Sequence, residues 1–140
     1  MKLMTALFVG RFQPLHKGHV NAIKNLFGKY QKVVIVIGSA NKKGAENPFS
    51  FKERKNMLNA SLRKYKNRYK ITGITDVESD RKWKNKITRN VRFDVIVTGN
   101  PWTARCFSGY KIVRPKMLNQ KKYNATRIRN LIKQKKHWQN

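Results

Sequence analysis

Two imidazoles three residues apart, His16 and His19, close the segment Gly10-Arg11-Phe12-Gln13-Pro14-Leu15-His16-Lys17-Gly18-His19. On a helix start, residues at this spacing share one face. With Arg11 and Lys17 beside them, the two rings make a site for polyphosphate rather than a general-base pair. Gly10 lets the backbone turn sharply and approach a ligand closely. The helix start adds N–H groups and the positive end of a dipole. The segment is neither a Walker A loop nor GxGxxG. Two competing readings weigh less. Zinc coordination would need a third ligand, but His137 is distant and the only carboxylates are Glu46, Glu53, Asp76, Glu78, Asp80 and Asp94. A purely structural role for both histidines fits poorly with so polar a loop.

The elements that must position this segment follow from hydrophobic spacing. Leu3–Val9 reads as a buried strand ending at Gly10, and Lys17–Tyr30 as a helix with Val20, Ile23, Leu26 and Phe27 on one face. Lys32–Ile37 is the clearest buried strand. Phe51–Tyr65 is a helix, with Ser50 and Glu53 spaced as a capping box. Tyr69–Ile74, Phe93–Thr98 and Tyr110–Val113 are strands; Arg81–Arg89 and Ala125–Lys135 are helices. This alternation predicts an α/β fold, a doubly wound, mostly parallel sheet of Rossmann-like type, in one domain spanning 1–140. In such sheets ligands bind beyond the carboxyl ends of the strands, near the switch in strand order. The unusual polar clusters, Gly10–His19, Gly38–Asn47, Thr75–Trp83 and Gly99–Trp102, all fall at such ends and so predict one shared site.

The segment Gly10–His19 resembles the GRFQPxHxGH signature of archaeal-type nicotinamide-nucleotide adenylyltransferases, within the HxGH nucleotidyltransferase superfamily. The likeness continues in order down most of the chain: Glu46-Asn47-Pro48-Phe49-Ser50 with Glu53-Arg54, Asp76 followed by Trp83, Gly99-Asn100-Pro101, Arg114-Pro115, and Thr126-Arg127-Ile128-Arg129. HxGH alone is a superfamily signal; six blocks in order are far more specific. The resemblance implies a Rossmann-like nucleotidyltransferase fold and transfer of AMP from ATP to nicotinamide mononucleotide, giving NAD and pyrophosphate, in NAD biosynthesis. It implies catalytic roles for His16, His19 and Arg11, and an ATP site of Gly10, Arg11, Phe12, His16, His19, Thr126 and Arg129. For the mononucleotide it implies Gly38, Ser39, Asn47, Arg54, Asp76, Trp83 and Asn100. Trp83 would stack on the pyridine ring, where cation–π attraction suits indole; the other reading is a core tryptophan. Arg54 could equally be a surface helix arginine, and Asn47 a turn residue. No protein metal ligand is assigned; Mg²⁺ would ride on the ATP phosphates.

Some residues depart from the pattern. Asn124-Ala125 stands where the family shows a small serine-containing pair, the loop after Pro101 is short, and Arg105 is one place from the expected arginine. The rivals within the superfamily are pantetheine-phosphate adenylyltransferase, FAD synthetase and the cytidylyltransferases. The first motif of those families carries Asp after Phe, where this chain has Gln13; cytidylyltransferases also carry a closing block that is absent here.

Composition bounds the partners. Thirty-three Lys and Arg against six Asp and Glu give a formal net charge of +27 over 140 residues. Such a charge suits an anionic partner, either nucleic acid or a phosphate-rich substrate, or reflects a generally basic proteome. An RNA-binding module on a retired enzyme fold is the alternative of a different class; intact Arg11, His16, His19 and Arg129 argue against retirement. The single cysteine, Cys106, excludes an internal disulfide framework and suits a reducing compartment. No apolar run reaches the length of a membrane helix, and the first ten residues lack a signal-peptide pattern. A cytoplasmic enzyme with no membrane association is therefore expected. The family resemblance implies a homo-oligomer, which like charges would oppose.

Overall fold

The computed structural model describes residues 4–40, 47–115 and 124–133. Five strands, β1 (Thr5–Gly10), β2 (Lys32–Ile37), β3 (Tyr69–Gly73), β4 (Val95–Val97) and β5 (Lys111–Val113), form one sheet in the order β3-β2-β1-β4-β5. Every neighbouring pair is parallel, so the sheet is wholly rather than mostly parallel. The helices are α1 (Lys17–Leu26), α2 (Phe51–Ser61), α3 (Asp80–Asn90), α4 (Pro101–Cys106) and α5 (Ala125–Lys133). The chain winds outward from β1 first through β2 and β3, then returns to place β4 and β5 on the other side. The switch in strand order lies between β1 and β4.

Buried parallel strands read as unbroken apolar runs because both faces are covered. Here the alternation of side chains splits each run between two layers. Ala6 and Phe8 of β1, Val33, Ile35 and Ile37 of β2, and Val95 and Val97 of β4 pack with Ala22, Ile23 and Leu26 of α1 and with Leu58 and Leu62 at the end of α2. Leu7, Val34, Val36 and Ile96 face the other way, onto Trp83 and Ile87 of α3 and onto Phe107. Burying one such aliphatic side chain contributes roughly 1.5–3 kcal/mol, which holds the sheet as the fixed frame for its loops.

β2 runs over Lys32–Ile37 as its sequence predicts. Other boundaries differ. α1 ends at Leu26 rather than Tyr30, where Phe27 and Gly28 turn the chain. α2 stops at Ser61, and a 3-10 turn over Arg63–Arg68 carries the chain into β3. β4 shrinks to three residues, and α4 has no counterpart among the helices expected from spacing. The predicted end of α5 at Lys135 and the start of β1 at Leu3 lie outside the described residues. Among the described residues no helix is long and apolar enough to cross a membrane.

Candidate active site

The loop leaving β1 is shaped by its own ring. A Cβ at Gly10 would lie 2.8 Å from the Phe12 ring, so only glycine fits there. Phe12 has φ 52°, turns inward, and is wholly buried between Phe8 (centroids 6.1 Å apart) and the edge of His19 (4.9 Å). Phe12 thus supports the loop from below rather than offering a surface to ATP. Gln13 is buried as well. Its amide donates to Phe49 O and accepts from Phe49 N, both at 2.9 Å, which stitches this loop to the segment before α2.

His16 and His19 share a face, as their spacing predicts, and they are also the two halves of a cap. His16 is the N-cap of α1, and its Nδ1 accepts from Gly18 N at 3.1 Å; His16 N donates to His19 Nδ1 at 3.3 Å. The rings stack with centroids 3.7 Å apart. A backbone N–H pointing at each Nδ1 assigns the proton of each neutral ring to Nε2. Burial pushes the His16 pKa down to about 4, and burial together with the His16 charge pushes His19 down to about 3. At neutral pH the pair is therefore uncharged and carries two Nε2–H donors, which explains how two imidazoles tolerate such contact. One expectation needs correcting: the Gly18 N–H is turned onto His16 and is not offered to a phosphate.

The second loop hangs on Arg54. Ser50 and Glu53 form the expected capping box, with bonds of 3.1 and 2.9 Å. The first turn of α2 so fixed sends Arg54 inward, where it is wholly buried. Its guanidinium donates to four carbonyls: Ser50 O (3.2 Å), Arg11 O (2.9 Å), Gly38 O (2.8 Å) and Ser39 O (3.1 Å). Burial first, then the nearby Arg11 charge, lowers its pKa. The family resemblance assigns Arg54 to the mononucleotide. Its geometry instead makes it a strut beneath the loops after β1 and β2, with its donors spent on backbone.

Between those loops and the start of α3 opens a cavity of about 290 Å³, bordered by Arg11, Ser39, Asp76, Trp83, Asn100 and Trp102 among others. Ser39, at φ 49°, donates its hydroxyl to Asp76 Oδ1 at 2.9 Å and so links the loops after β2 and β3. Trp83 is a core tryptophan that also borders the cavity: it is 7% exposed and packs on Phe107. Trp102, at 37% exposure, meets it with ring centroids 4.7 Å apart. Asn100 caps α4 by accepting from Trp102 N (2.8 Å) and Thr103 N (3.3 Å). Asn47 is not on the cavity wall; its side-chain oxygen accepts from Arg11. Gly38 also borders the cavity.

From the far end of the chain, α5 brings Arg129 back to the first loop. Its Nη1 donates to Gln13 O at 2.9 Å and its Nη2 to Thr126 Oγ1 at 3.3 Å. Asn124, where the family pattern has a smaller residue, caps this helix by accepting from Arg127 N at 2.7 Å. The structure thus gathers Arg11, His16, His19, Thr126 and Arg129 around one loop and Ser39, Asp76, Trp83 and Asn100 around one cavity, with Arg11 common to both. Sequence reasoning placed the Gly99–Trp102 segment at the shared site without singling out Trp102, and it missed Gln13 and Arg54 as supports. It also missed His16 as a cap, although the Ncap-to-N3 spacing is that of a capping box.

Known proteins resemble this chain in sequence and fold. The cytidylyltransferase-like family matches residues 7–131. A nicotinamide-nucleotide adenylyltransferase from Methanococcus aeolicus is 35% identical over 139 residues, covering 96% of this chain and 81% of that protein. One from Archaeoglobus fulgidus is 34% identical over 146 residues, covering 97% and 84%. Among solved structures, a bifunctional NMN adenylyltransferase/ADP ribose pyrophosphatase from Francisella tularensis superposes with a TM-score of 0.79 at 26% identity, over 92% of this chain and 42% of that one. A structure of that description complexed with AMP and a manganese ion gives 0.77 at 28% identity, over 92% and 41%. The chain thus spans less than half of the bifunctional protein and most of the archaeal ones. With the motifs in order and the parallel sheet beneath them, the chain belongs to the cytidylyltransferase-like family and, within it, to the nicotinamide-nucleotide adenylyltransferases.

Proposed function

We propose that this protein transfers the AMP part of ATP to nicotinamide mononucleotide, giving NAD and pyrophosphate. The observation that carries the reading is the stacked, neutral His16–His19 pair at the start of α1, with two Nε2–H donors on the same segment that carries Arg11. A phosphate oxygen of the mononucleotide attacks the α-phosphorus of ATP; that O–P bond forms as the bond to pyrophosphate breaks. No covalent enzyme intermediate is needed. The protein's task is to align the reactants and to meet the charge that develops on the α-phosphate. Neutral donors suit this, because they need not surrender a proton and do not repel Arg11.

In this reading the triphosphate lies across His16, His19, Arg11, Thr126 and Arg129. The mononucleotide enters the cavity with its ring against Trp83, its ribose toward Asp76 and Ser39, and the amide of Asn100 within reach. Arg11, common to both, sits where the two phosphates must meet. Magnesium would supply charge neutralisation on the departing pyrophosphate. An ion carried on substrate phosphates needs few protein ligands, and the Asp76 carboxylate accepts from the Ser39 hydroxyl. The Francisella structure with AMP and a manganese ion supports a divalent cation as partner of the nucleotide.

The test is a panel of acceptors with ATP or CTP and Mg²⁺, following pyrophosphate release. Nicotinamide mononucleotide with ATP should be fastest among nicotinamide mononucleotide, nicotinic acid mononucleotide, flavin mononucleotide and phosphopantetheine. Release with flavin mononucleotide or phosphopantetheine, and none with either pyridine mononucleotide, would overturn the assignment.

A further inference from the structure

In the proposed reaction the substrates take the carboxyl end of the sheet, yet a cluster of exposed cations sits toward the other end. Of the described carboxylates, Glu53 lies in the first turn of α2, Asp80 in the first turn of α3, and Asp76 and Glu78 in the loop between β3 and α3, all toward the substrate end. Asp94 alone stands at the amino ends of the strands, and it accepts a hydrogen bond from Thr5 N at 2.7 Å. Toward this end lie Lys32 at the start of β2, Arg63, Lys64 and Lys66 in the turn before β3, Lys70 in β3 and Arg92 after α3. All six are exposed, and none of their side chains makes a hydrogen bond or ion pair among the described residues. Lys32, Lys70 and Arg92 border a groove of about 390 Å³ whose walls include Asn67, Asn90 and Tyr69 and no carboxylate.

Neither folding nor the proposed reaction accounts for these cations. A six-residue strand is about 20 Å long, and the Debye length at physiological ionic strength is about 8 Å. Charges at the amino end are therefore screened from a nucleotide at the carboxyl end. Left together without acids, they repel one another. A partner with closely repeated negative charge removes that repulsion.

We propose that this basic groove at the amino ends of β2 and β3 binds nucleic acid through its phosphate backbone, with little sequence preference and independently of the active site. The groove offers cations for phosphates, and amides and a tyrosine for sugars and bases, the usual composition of such surfaces. A membrane surface fits less well: the exposed large apolar residues among those described, Trp102, Tyr110 and Ile112, do not border the groove.

The experiment is a fluorescence anisotropy titration of the full chain with a labelled mixed-sequence single-stranded RNA of about 20 nucleotides, over a range of salt concentrations. The wild type should bind at low salt and weaken linearly in log–log form as salt rises. Lys32→Glu/Lys70→Glu/Arg92→Glu should weaken binding at least tenfold, while NAD formation stays within about twofold. The neutral set Lys32→Gln/Lys70→Gln/Arg92→Gln should lower the salt slope by about 2, since each phosphate neutralised on a single strand accounts for roughly 0.7 of it; it serves if the reversed set misfolds. Lys24→Glu/Lys52→Glu/Lys55→Glu carries the same net charge change elsewhere and should weaken binding less than threefold. Equal losses in the two reversed sets would mean diffuse charge attraction and would overturn the groove. So would absence of binding at low salt, or binding to phosphatidylserine vesicles without binding to RNA.

Discussion

Replacing Arg54 by methionine separates a strut from a substrate ligand, because the two roles predict different patterns of loss. Methionine keeps most of the buried volume and removes the guanidinium. Three carbonyls, of Arg11, Gly38 and Ser39, lose their donor in a place where Arg54 is wholly buried, while Ser50 O keeps the backbone N–H of residue 54 at 3.0 Å. An orphaned buried acceptor costs about 1–3 kcal/mol, so the gross loss is roughly 3–9 kcal/mol. Removing a charge from the interior returns part of that loss as relieved desolvation, leaving a net cost of about 3–5 kcal/mol. Against a stability of roughly 7–20 kcal/mol for a chain of this size, the variant stays folded at 25 °C. Its Tm should fall by about 10–20 °C, since 1 kcal/mol is worth about 4 °C here.

The functional pattern is the sharper part. Arg54 fixes the loop bearing Arg11 and the loop bearing Ser39 together. Loosening both should lower kcat by about 10–100-fold through misplaced reactants, and should raise KM for ATP and for the mononucleotide alike. Arg54→Lys keeps the charge but has three donors on one nitrogen, too few and too compact for four carbonyls; it should fall between wild type and methionine in both Tm and kcat. Thermal melts by circular dichroism and steady-state kinetics at 25 °C read all of this. A rise in KM confined to the mononucleotide, with kcat and ATP untouched, would mean that Arg54 touches substrate and that the strut reading is wrong. An unchanged Tm would refute the hydrogen-bond accounting itself.

The depressed histidine pKa values set a pH window. Between about pH 6.5 and the folded values of about 4 and 3, the unfolded chain binds more protons than the folded one, so stability is fully present above about 6.5 and declines as pH falls toward those values. The same neutrality predicts no fall in kcat/KM on passing downward through pH 6.5, with any histidine-linked acid limb below about 5; an NMR titration of the two ring C–H signals with midpoints near 6.5 would refute the neutral pair. Trp83→Leu keeps an apolar filler against Phe107 but removes the indole, and should raise KM for the mononucleotide about 2–30-fold, for stacking worth about 0.5–2 kcal/mol, with the ATP KM little changed; equal rises for both would remove Trp83 from the ring site. Arg129→Ala should raise KM for ATP more than for the mononucleotide, since Arg129 joins Thr126 to the first loop, and Arg127→Ala should do less; equal effects of the two variants would contradict the placement of the triphosphate on α5.

What can be read in advance depends on how far each signal reaches along the chain. β2 is legible because five consecutive apolar residues, Val33 to Ile37, need no partner to be identified as buried strand. Ser50 and Glu53 are legible because a capping box is complete within four residues. α4 has equally local punctuation, Asn100 as cap followed by Pro101 at the first helical position, but six residues are too few to show a period, and the helix escapes a reading by spacing. His16 is recognisable by its chemistry and not as a cap, since the usual capping box is built from Ser or Thr with Glu or Gln rather than from two imidazoles. Arg54 fails for a different reason. Arginines are rarely buried without an acidic partner, and nothing within α2 announces that carbonyls from other loops will converge on this one. The same holds for Arg129, whose partner Gln13 lies 116 residues away, and for Trp102, which becomes a wall only when α3 and α4 come to lie side by side. The residues proposed to meet ligand sit in short motifs, whereas the rigidity of the site comes from pairings between loops that only the closed sheet brings within reach. The strut residues are therefore where substitutions should damage catalysis without any change to a group that touches substrate.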